Sequence, residues 1–104
     1  MLMLVATSGS GDVVGTVGCS VVSAGEGHLR SMAVRPEWQG HGVAGRLLDH
    51  VEAELCERKC SRISLDTTEP LQRAISFYEK RGFRRSGLVA DLFGMPLFEY
   101  IKTL

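Results

Sequence analysis

The sequence predicts a single α/β domain over residues 1–104, with a mixed, mostly antiparallel sheet and two main helices. β-branched runs separated by small polar turns indicate strands. Two stretches with apolar residues at spacings of 3, 1 and 3 indicate amphipathic helices. The hydrophobic content of 44% and charged content of 23% are ordinary for a globular chain. The predicted order is β-β-β-α-β-α-β-β.

The first three strands are separated by short turns. Residues 1–6 and 13–22 are rich in apolar and β-branched side chains, while residues 7–12 between them are small and polar. We therefore expect a hairpin. Residues 28–34 form the third predicted strand, and Pro36 ends it because a residue before proline avoids the helical conformation.

The first predicted helix covers residues 43–59, and residues 62–67 follow it as a fourth strand. Charged residues lie mostly off the apolar stripe of this helix, as expected for a face in contact with solvent. The apolar stripe consists of Ala44, Leu47, Leu48, Val51 and Leu55.

The second helix is predicted to begin near Thr68, with Pro70 in its first turn. Gly82 stands where a helix-ending glycine would, with Phe83 as the hydrophobic partner of a Schellman stop. Residues 83–89 and 97–103 are the closing strands, joined by a loop that contains Gly94 and Pro96.

The charge balance argues against nucleic acid and membranes as partners. Lys plus Arg and Asp plus Glu both number 12, so the net charge is zero and no global field attracts nucleic acid. No apolar run approaches the roughly 20 residues of a membrane span, and no signal peptide is expected. Cys19, Cys56 and Cys60 have neither disulfide nor zinc spacing, which favours reduced thiols in a cytoplasmic protein without a metal.

Residues 35–48 contain the most informative motif, a glycine-rich turn between the third strand and the first helix. A helix N-terminus leaves about four unpaired N–H groups and roughly half a positive charge, which attract anions. Gly40 and Gly42 lack a Cβ, so a phosphate can approach their N–H groups closely. The motif is neither a nucleotide P-loop nor a dinucleotide fingerprint. It is a candidate pyrophosphate cradle.

Two segments of the chain resemble one known family. Gln39-Gly40-His41-Gly42-Val43-Ala44 resembles the acetyl-CoA motif Gln/Arg-x-x-Gly-x-Gly/Ala of the GNAT N-acetyltransferase superfamily. Residues 74–83, Ala-Ile-Ser-Phe-Tyr-Glu-Lys-Arg-Gly-Phe, resemble its Ala-x-x-Phe-Tyr-Glu-Lys-x-Gly-Phe segment. The resemblance covers about residues 1 to 103 and implies the GNAT acyl-CoA N-acyltransferase fold. It begins inside that fold, so the family's first strand and acceptor-side helices are expected to be lacking.

The resemblance implies acetyl transfer from acetyl-CoA to a primary amine of a small molecule, peptide or protein by direct attack, with no metal. It implies that the third strand holds the pantetheine arm and that the glycine turn holds the pyrophosphate. Arg35 or Arg46 is a candidate charge partner of the phosphates. The implied cofactor-binding residues are Met32, Ala33, Val34, Gln39, Gly40, His41, Gly42, Val43, Ala44 and Gly45.

Two residues are candidates for proton transfer. Tyr78 matches the family's general acid for the coenzyme A thiolate, although its helical spacing also suits a core tyrosine. Asp66, twelve residues earlier, is the first candidate base, and capping of the next helix is the alternative. His28 and Glu26 are less favoured bases. Many members have Asn seven residues before the tyrosine, whereas this chain has Leu71, to which we assign no cofactor contact.

Two further expectations stay open at this point. The alternative to an enzyme is an acetyl-CoA-binding or interaction protein of the same fold with little turnover, completed by a partner chain. Unpaired sheet edges recruit partners, and the apolar strand at residues 97–101 is a candidate edge. We therefore expect a homodimer.

Overall fold

The β-branched runs of the sequence form strands and its apolar stripes form helices, which gives the predicted α/β architecture. The structure, a computed structural model, describes residues 1–67 and 72–104. The predicted start of the second helix, near Thr68 with Pro70, lies outside the described residues. So does Leu71, which stands where many members of the family have asparagine. The elements are β1 Leu2–Thr7, β2 Val13–Ser23, β3 Glu26–Val34, a 3₁₀ turn Pro36–Trp38, α1 Val43–Glu57, β4 Arg62–Thr67, α2 Gln72–Lys80, β5 Arg84–Leu92 and β6 Met95–Thr103.

The six described strands form one sheet in the order β1-β2-β3-β4-β6-β5. Every neighbouring pair is antiparallel except β3 and β4, which are parallel. Residues 97–101 were expected at an edge, and this expectation is wrong. They belong to β6, whose two sides pair with β4 and β5. The edges of the described sheet are β1 and β5.

The parallel pairing between β3 and β4 is short. It comprises only Glu26↔Arg62, Gly27↔Ile63 and His28↔Ser64 among the described residues. Beyond His28 the two strands part, although β4 stays paired with β6 as far as Thr67. A wedge-shaped gap therefore opens between their carboxyl ends.

A β-bulge at Arg30 changes which face of the sheet β3 presents. Gly18 pairs with Ser31 and Cys19 pairs with Leu29, so Arg30 is one extra residue in β3. Because side chains alternate between faces, the extra residue reverses the alternation. Met32 after the bulge consequently shares a face with Leu29 before it.

Both described helices pack against one face of the sheet. The predicted apolar stripe of α1 packs on the sheet, mainly on β2 and also on β1 and β3. On β1, Leu2, Leu4 and Ala6 pack against this core, so Met3 and Val5 point to the opposite face and are exposed. No described helix covers that opposite face. The core comprises Val17, Cys19, Leu29, Leu47, Leu48, Val51, Leu55, Cys60, Ile63, Leu65, Phe83 and Tyr100.

The end of α2 follows the prediction closely. Gly82 has a φ of 94°, and its N–H bonds the Glu79 carbonyl at 3.0 Å. The N–H of Phe83 bonds the Tyr78 carbonyl at 3.0 Å, which completes a Schellman motif. The Phe83 ring is buried. This stop fixes the end of the helix that carries Tyr78.

The β5–β6 hairpin is longer than predicted. Only Phe93 and Gly94 separate the two strands, with φ values of 50° and 85°. Positive φ at both positions is the geometry of a type I′ turn, whose twist matches that of the strands. Pro96, predicted in a loop, lies in β6 beyond the last described pair with β4, Thr67↔Phe98. Among the described residues, no helix has the length and apolarity needed to cross a membrane.

We expect Gly27→Ala to destabilise the fold by about 1–3 kcal/mol, because it overpacks the core. A Cβ at Gly27 would stand 2.5 Å from Leu55 Cδ1 and 2.7 Å from its Cδ2, and Leu55 is only 1% exposed. Chemical denaturation measures the change. Gly9→Ala is the control, because nothing lies within 4 Å of a Cβ there. Equal unfolding midpoints for the two variants would contradict the close packing of α1 on β3.

Candidate active site

A cavity of about 770 Å³ lies between the end of β3, the glycine-rich turn, the start of α1 and one face of α2. It is the largest of the described cavities, and both sequence motifs contribute to its walls. Its lining residues are Met32, Val34, Trp38, Gln39, Gly40, Gly42, Val43, Ala44, Arg73, Ala74, Phe77 and Tyr78. Of the predicted site residues, Ala33, His41, Gly45 and Asp66 do not line it.

The glycine turn presents uncapped backbone donors to this cavity. Gly40 and Gly42 have φ values of 83° and 80°, a conformation that favours glycine, and a Cβ at either would meet nothing within 4 Å. Gly42 is the N-cap of α1 and makes no side-chain capping bond. The N–H groups of the first helical turn, beginning at Val43, have no partner within the helix. The turn therefore combines free donors, a favourable helix dipole and open space, which suits a pyrophosphate.

Local hydrogen bonds fix the shape of the turn. The Gln39 side-chain amide donates to the Val34 carbonyl at 3.3 Å, which ties the turn to the end of β3. The His41 N–H donates to the Trp38 carbonyl at 3.3 Å, and the two rings lie 5.6 Å apart. The His41 side chain is exposed and packs against Trp38, so any contact of His41 with a ligand would come from its backbone.

Gly45 lies against an arginine instead of the cavity. A Cβ there would stand 2.9 Å from the guanidinium carbon of Arg81. Arg81 Nη1 donates to Asp49 Oδ1 at 2.7 Å and to the Gly45 carbonyl at 3.4 Å. The missing side chain of Gly45 thus lets the residue that follows α2 bind α1. Ala33 alternates with Met32 and Val34 and is exposed on the opposite face of β3.

Neither of the arginines considered from the sequence reaches the cavity. Arg35 Nε donates to the Val13 carbonyl at 2.7 Å, and Arg46 lines a separate groove of about 310 Å³. Arg73 of α2 lines the cavity instead. The sequence carried a signal for it, because Arg73 lies four residues before Phe77, hence on the same side of the helix.

Tyr78 is both a packed residue and a cavity residue. Its ring meets Phe77 and Phe83 edge to face, at centroid distances of 5.3 Å and 5.5 Å. Burial raises the pKa of the Tyr78 phenol above its ordinary value of 10.0. The hydroxyl therefore stays protonated at neutral pH, which is the state that a proton donor requires.

Asp66 lies on the opposite face of the sheet from the helices. Ile63 and Leu65 of β4 are in the core under α1, so Ser64 and Asp66 point away from it. Asp66 Oδ2 lies 3.4 Å from His28 Nε2, and the Asp66 side chain is 42% exposed. The structure thus places Asp66 beside His28, a less favoured candidate, and across the sheet from Tyr78. Among the described residues, no group of His, Cys, Asp or Glu side chains is arranged to hold a metal.

Comparison with known proteins agrees with this fold. The sequence profile of the Acetyltransferase (GNAT) family matches residues 2–83, and the chain belongs to this family. The structure of nourseothricin acetyltransferase is similar, with a TM-score of 0.89 and 26% identity over 97% of this chain and 64% of that one. The Bacillus cereus ATCC 14579 IAA acetyltransferase has a TM-score of 0.84 and 20% identity, over 98% of this chain and 77% of that one.

A protein-modifying enzyme shares the same fold. The ribosomal-protein-S18-alanine N-acetyltransferase of Escherichia coli has a TM-score of 0.83 and 22% identity, over 98% of this chain and 68% of that one. These structures confirm the predicted GNAT fold, a six-stranded, mostly antiparallel sheet with two helices. The family uses acetyl-CoA, and acyl-CoA-dependent N-acetylation is its general activity.

We expect the Tyr78 phenol to ionise only above pH 10, because burial disfavours the phenolate. The difference between the alkaline absorbance titrations of the parent and Tyr78→Phe isolates this group, since Tyr100 contributes to both. The folded state favours the neutral phenol, so its stabilising contribution is complete below about pH 10 and is lost at higher pH. The free energy of unfolding should therefore fall more steeply with alkaline pH in the parent. A difference titration centred at or below pH 10 would contradict the burial.

Proposed function

We propose that this chain is an N-acetyltransferase that moves an acetyl group from acetyl-CoA to a primary amine of a small molecule, peptide or protein by direct attack. The observation that carries this proposal is that one cavity holds both the uncapped glycine turn and Tyr78. An anion cradle and a protonated phenol on the same walls suit a thioester ligand with a pyrophosphate. The relatives support the acceptor classes, because their names include a nourseothricin and a ribosomal-protein alanine acetyltransferase.

The chain supplies the two halves of a coenzyme A site. Backbone N–H groups at Gly42 and in the first turn of α1 would hold the pyrophosphate, and Arg73 would add a positive charge. Met32 and Val34 line the cavity on the part of β3 that has separated from β4, where backbone groups are free to bind the pantetheine amides. Acetyl-CoA supplies the activated acetyl thioester.

Two side chains manage the protons in this proposal. Asp66 takes a proton from the acceptor amine, because only the neutral amine is a nucleophile. Tyr78 gives its phenol proton to the departing sulfur. The two residues lie on opposite faces of the sheet, beside the gap between β3 and β4. This arrangement separates the base from the acid.

One observation favours the alternative of an acetyl-CoA-binding or interaction protein with little turnover. Asp66 is not among the residues that line the cavity. In that alternative, the glycine turn binds the coenzyme while Tyr78 serves only as packing for Phe77 and Phe83. The variants below distinguish the two functions.

We expect Gly42→Ala to weaken acetyl-CoA binding at least about tenfold, because its methyl group enters the space before the free N–H groups. Hydrogen bonds to charged groups contribute about 1.5–3 kcal/mol, so losing one suffices for this effect. Isothermal titration with acetyl-CoA measures the dissociation constant. The matched control is Gly11→Ala, since Gly11 also has a positive φ, 90°, and open space but lies in the β1–β2 turn. Equal affinity for both variants would contradict the placement of the pyrophosphate.

The main test is Tyr78→Phe, which removes the hydroxyl and keeps the ring contacts. Thiol release from acetyl-CoA is followed with three primary amines: n-butylamine, spermidine and a short peptide with a free amino-terminal alanine. We expect the parent to acetylate at least one amine and the variant to lose about 10²- to 10⁴-fold in kcat, with unchanged acetyl-CoA affinity.

Tyr100→Phe is the matched control, because it removes a hydroxyl from a buried tyrosine outside the cavity. It should keep the parent's kcat. A parent that binds acetyl-CoA but releases thiol with none of the three amines would support the binding protein. Unchanged turnover in Tyr78→Phe would remove Tyr78 from the role of acid.

A further inference from the structure

A connected row of polar side chains crosses from β3 to β4 on the face opposite the helices. His28 Nε2 lies 3.4 Å from Asp66 Oδ2, and His28 Nδ1 lies 2.8 Å from Ser64 Oγ. The Ser64 hydroxyl in turn donates a hydrogen bond to Glu26 Oε2 at 3.3 Å. Ser64 is 1% exposed and the His28 side chain 15%, whereas Asp66 is 42% exposed. The row therefore runs from an exposed carboxylate to a buried hydroxyl.

The contact with Ser64 fixes the orientation of the His28 ring. Ser64 has a single hydroxyl hydrogen, and donating it to Glu26 leaves its oxygen as the acceptor for His28 Nδ1. The ring then presents Nε2 to the Asp66 carboxylate, whose Oδ2 lies 3.4 Å away. The row therefore holds the ring between a buried hydroxyl and an exposed carboxylate.

Among the described residues, Asp66 is the carboxylate that contacts the His28 ring. Arg62 Nε lies 3.3 Å from Glu26 Oε1, and Arg62 Nη2 lies 3.6 Å from Glu99 Oε1, so those two acids share one guanidinium. On β2, Ser20 pairs with His28 in register and accepts a hydrogen bond from Arg30 Nε at 3.2 Å. Asp66 Oδ2 lies 3.4 Å from His28 Nε2 instead.

The position of the row in the fold links it to the cavity. His28↔Ser64 is the last described parallel pair, so His28 marks the point where β3 and β4 part. Asp66 lies two residues further along β4, beside the gap. The bulge at Arg30 puts His28 on one face, while Met32, beyond the bulge, lines the cavity on the other. The gap therefore separates the polar row from the Tyr78 wall.

We propose that His28 is a positioning residue that orients the Asp66 carboxylate towards the acceptor ammonium. This proposal rests on the acetyltransferase function proposed above. Asp66 takes the first ammonium proton and releases it to solvent, which leaves a neutral amine. As the C–N bond forms and the C–S bond breaks, Tyr78 gives its proton to the sulfur. The nitrogen then loses a second proton, which restores the phenol through water.

The test compares His28→Gln, Asp66→Asn and the double variant, with the best of the three amines as acceptor. We expect His28→Gln to keep the acetyl-CoA dissociation constant within about twofold and to lower kcat about 10- to 100-fold. The acidic limb of its kcat/KM against pH should differ from that of the parent. The double variant should lose no more than about twofold beyond Asp66→Asn, because residues that act as one unit are not additive.

The control is His50→Gln, an exposed histidine of α1 that does not line the 770 Å³ cavity. It should leave kcat and the pH profile unchanged. Full additivity of the two substitutions, or a parental pH profile in His28→Gln, would overturn the proposal.

A second measurement needs no acceptor. In nitrogen-15 spectra of the imidazole rings, the His28 Nε2 signal should shift in Asp66→Asn and stay unchanged in His50→Gln. An Nε2 signal insensitive to Asp66→Asn would overturn the proposal even if catalysis were intact. If the parent binds no acetyl-CoA, or binds it without thiol release, the proposed function fails instead, and the spectra still report on the His28–Asp66 contact.

Discussion

The short parallel pairing between β3 and β4 is the constraint on which the site depends. Three register pairs hold the strands together at one end, and β4 then continues along β6 while β3 turns away. β3 stays paired with β2, but the side that faced β4 then has no strand beside it, and unpaired backbone groups are costly unless a ligand or water binds them. The 770 Å³ cavity lies beside this open side of β3, and the free N–H groups of α1 open into the same space. The candidate site and the gap between β3 and β4 are therefore one feature of the fold.

Local patterns in the sequence predicted most of the fold. The α1 stripe, the Gly82–Phe83 stop and the strand order along the chain depend on residues close together in sequence, where periodicity and turn chemistry act. The position of residues 97–101 was predicted wrongly because lateral strand order depends on long-range pairing. The short β5–β6 turn was missed because one of its two left-handed residues is Phe93, whose side chain disfavours that conformation.

The candidate site was predictable to a similar extent. The glycine turn and Tyr78, which the family resemblance assigned to one site, line one cavity. Arg73 was missed although it lies four residues before Phe77, because that spacing alone does not separate a cavity residue from a solvated one. The contact between Asp66 and His28 joins two strands and depends on the bulge at Arg30. A strict alternation would place His28, Met32 and Val34 on one face, so no periodicity argument could reveal the reversal.

The bulge at Arg30 determines which sequence changes β3 can tolerate. Arg30 is exposed, and its guanidinium bonds only Ser20 at the surface among the described residues. Many side chains could replace it at little cost to packing. The residue itself cannot be deleted without consequence. Its deletion would move the side chains of the β3 residues before it to the other face of the sheet, relative to the residues that line the cavity. Position 30 therefore constrains the length of the strand far more than the identity of the amino acid, a requirement that a comparison of side chains alone would overlook.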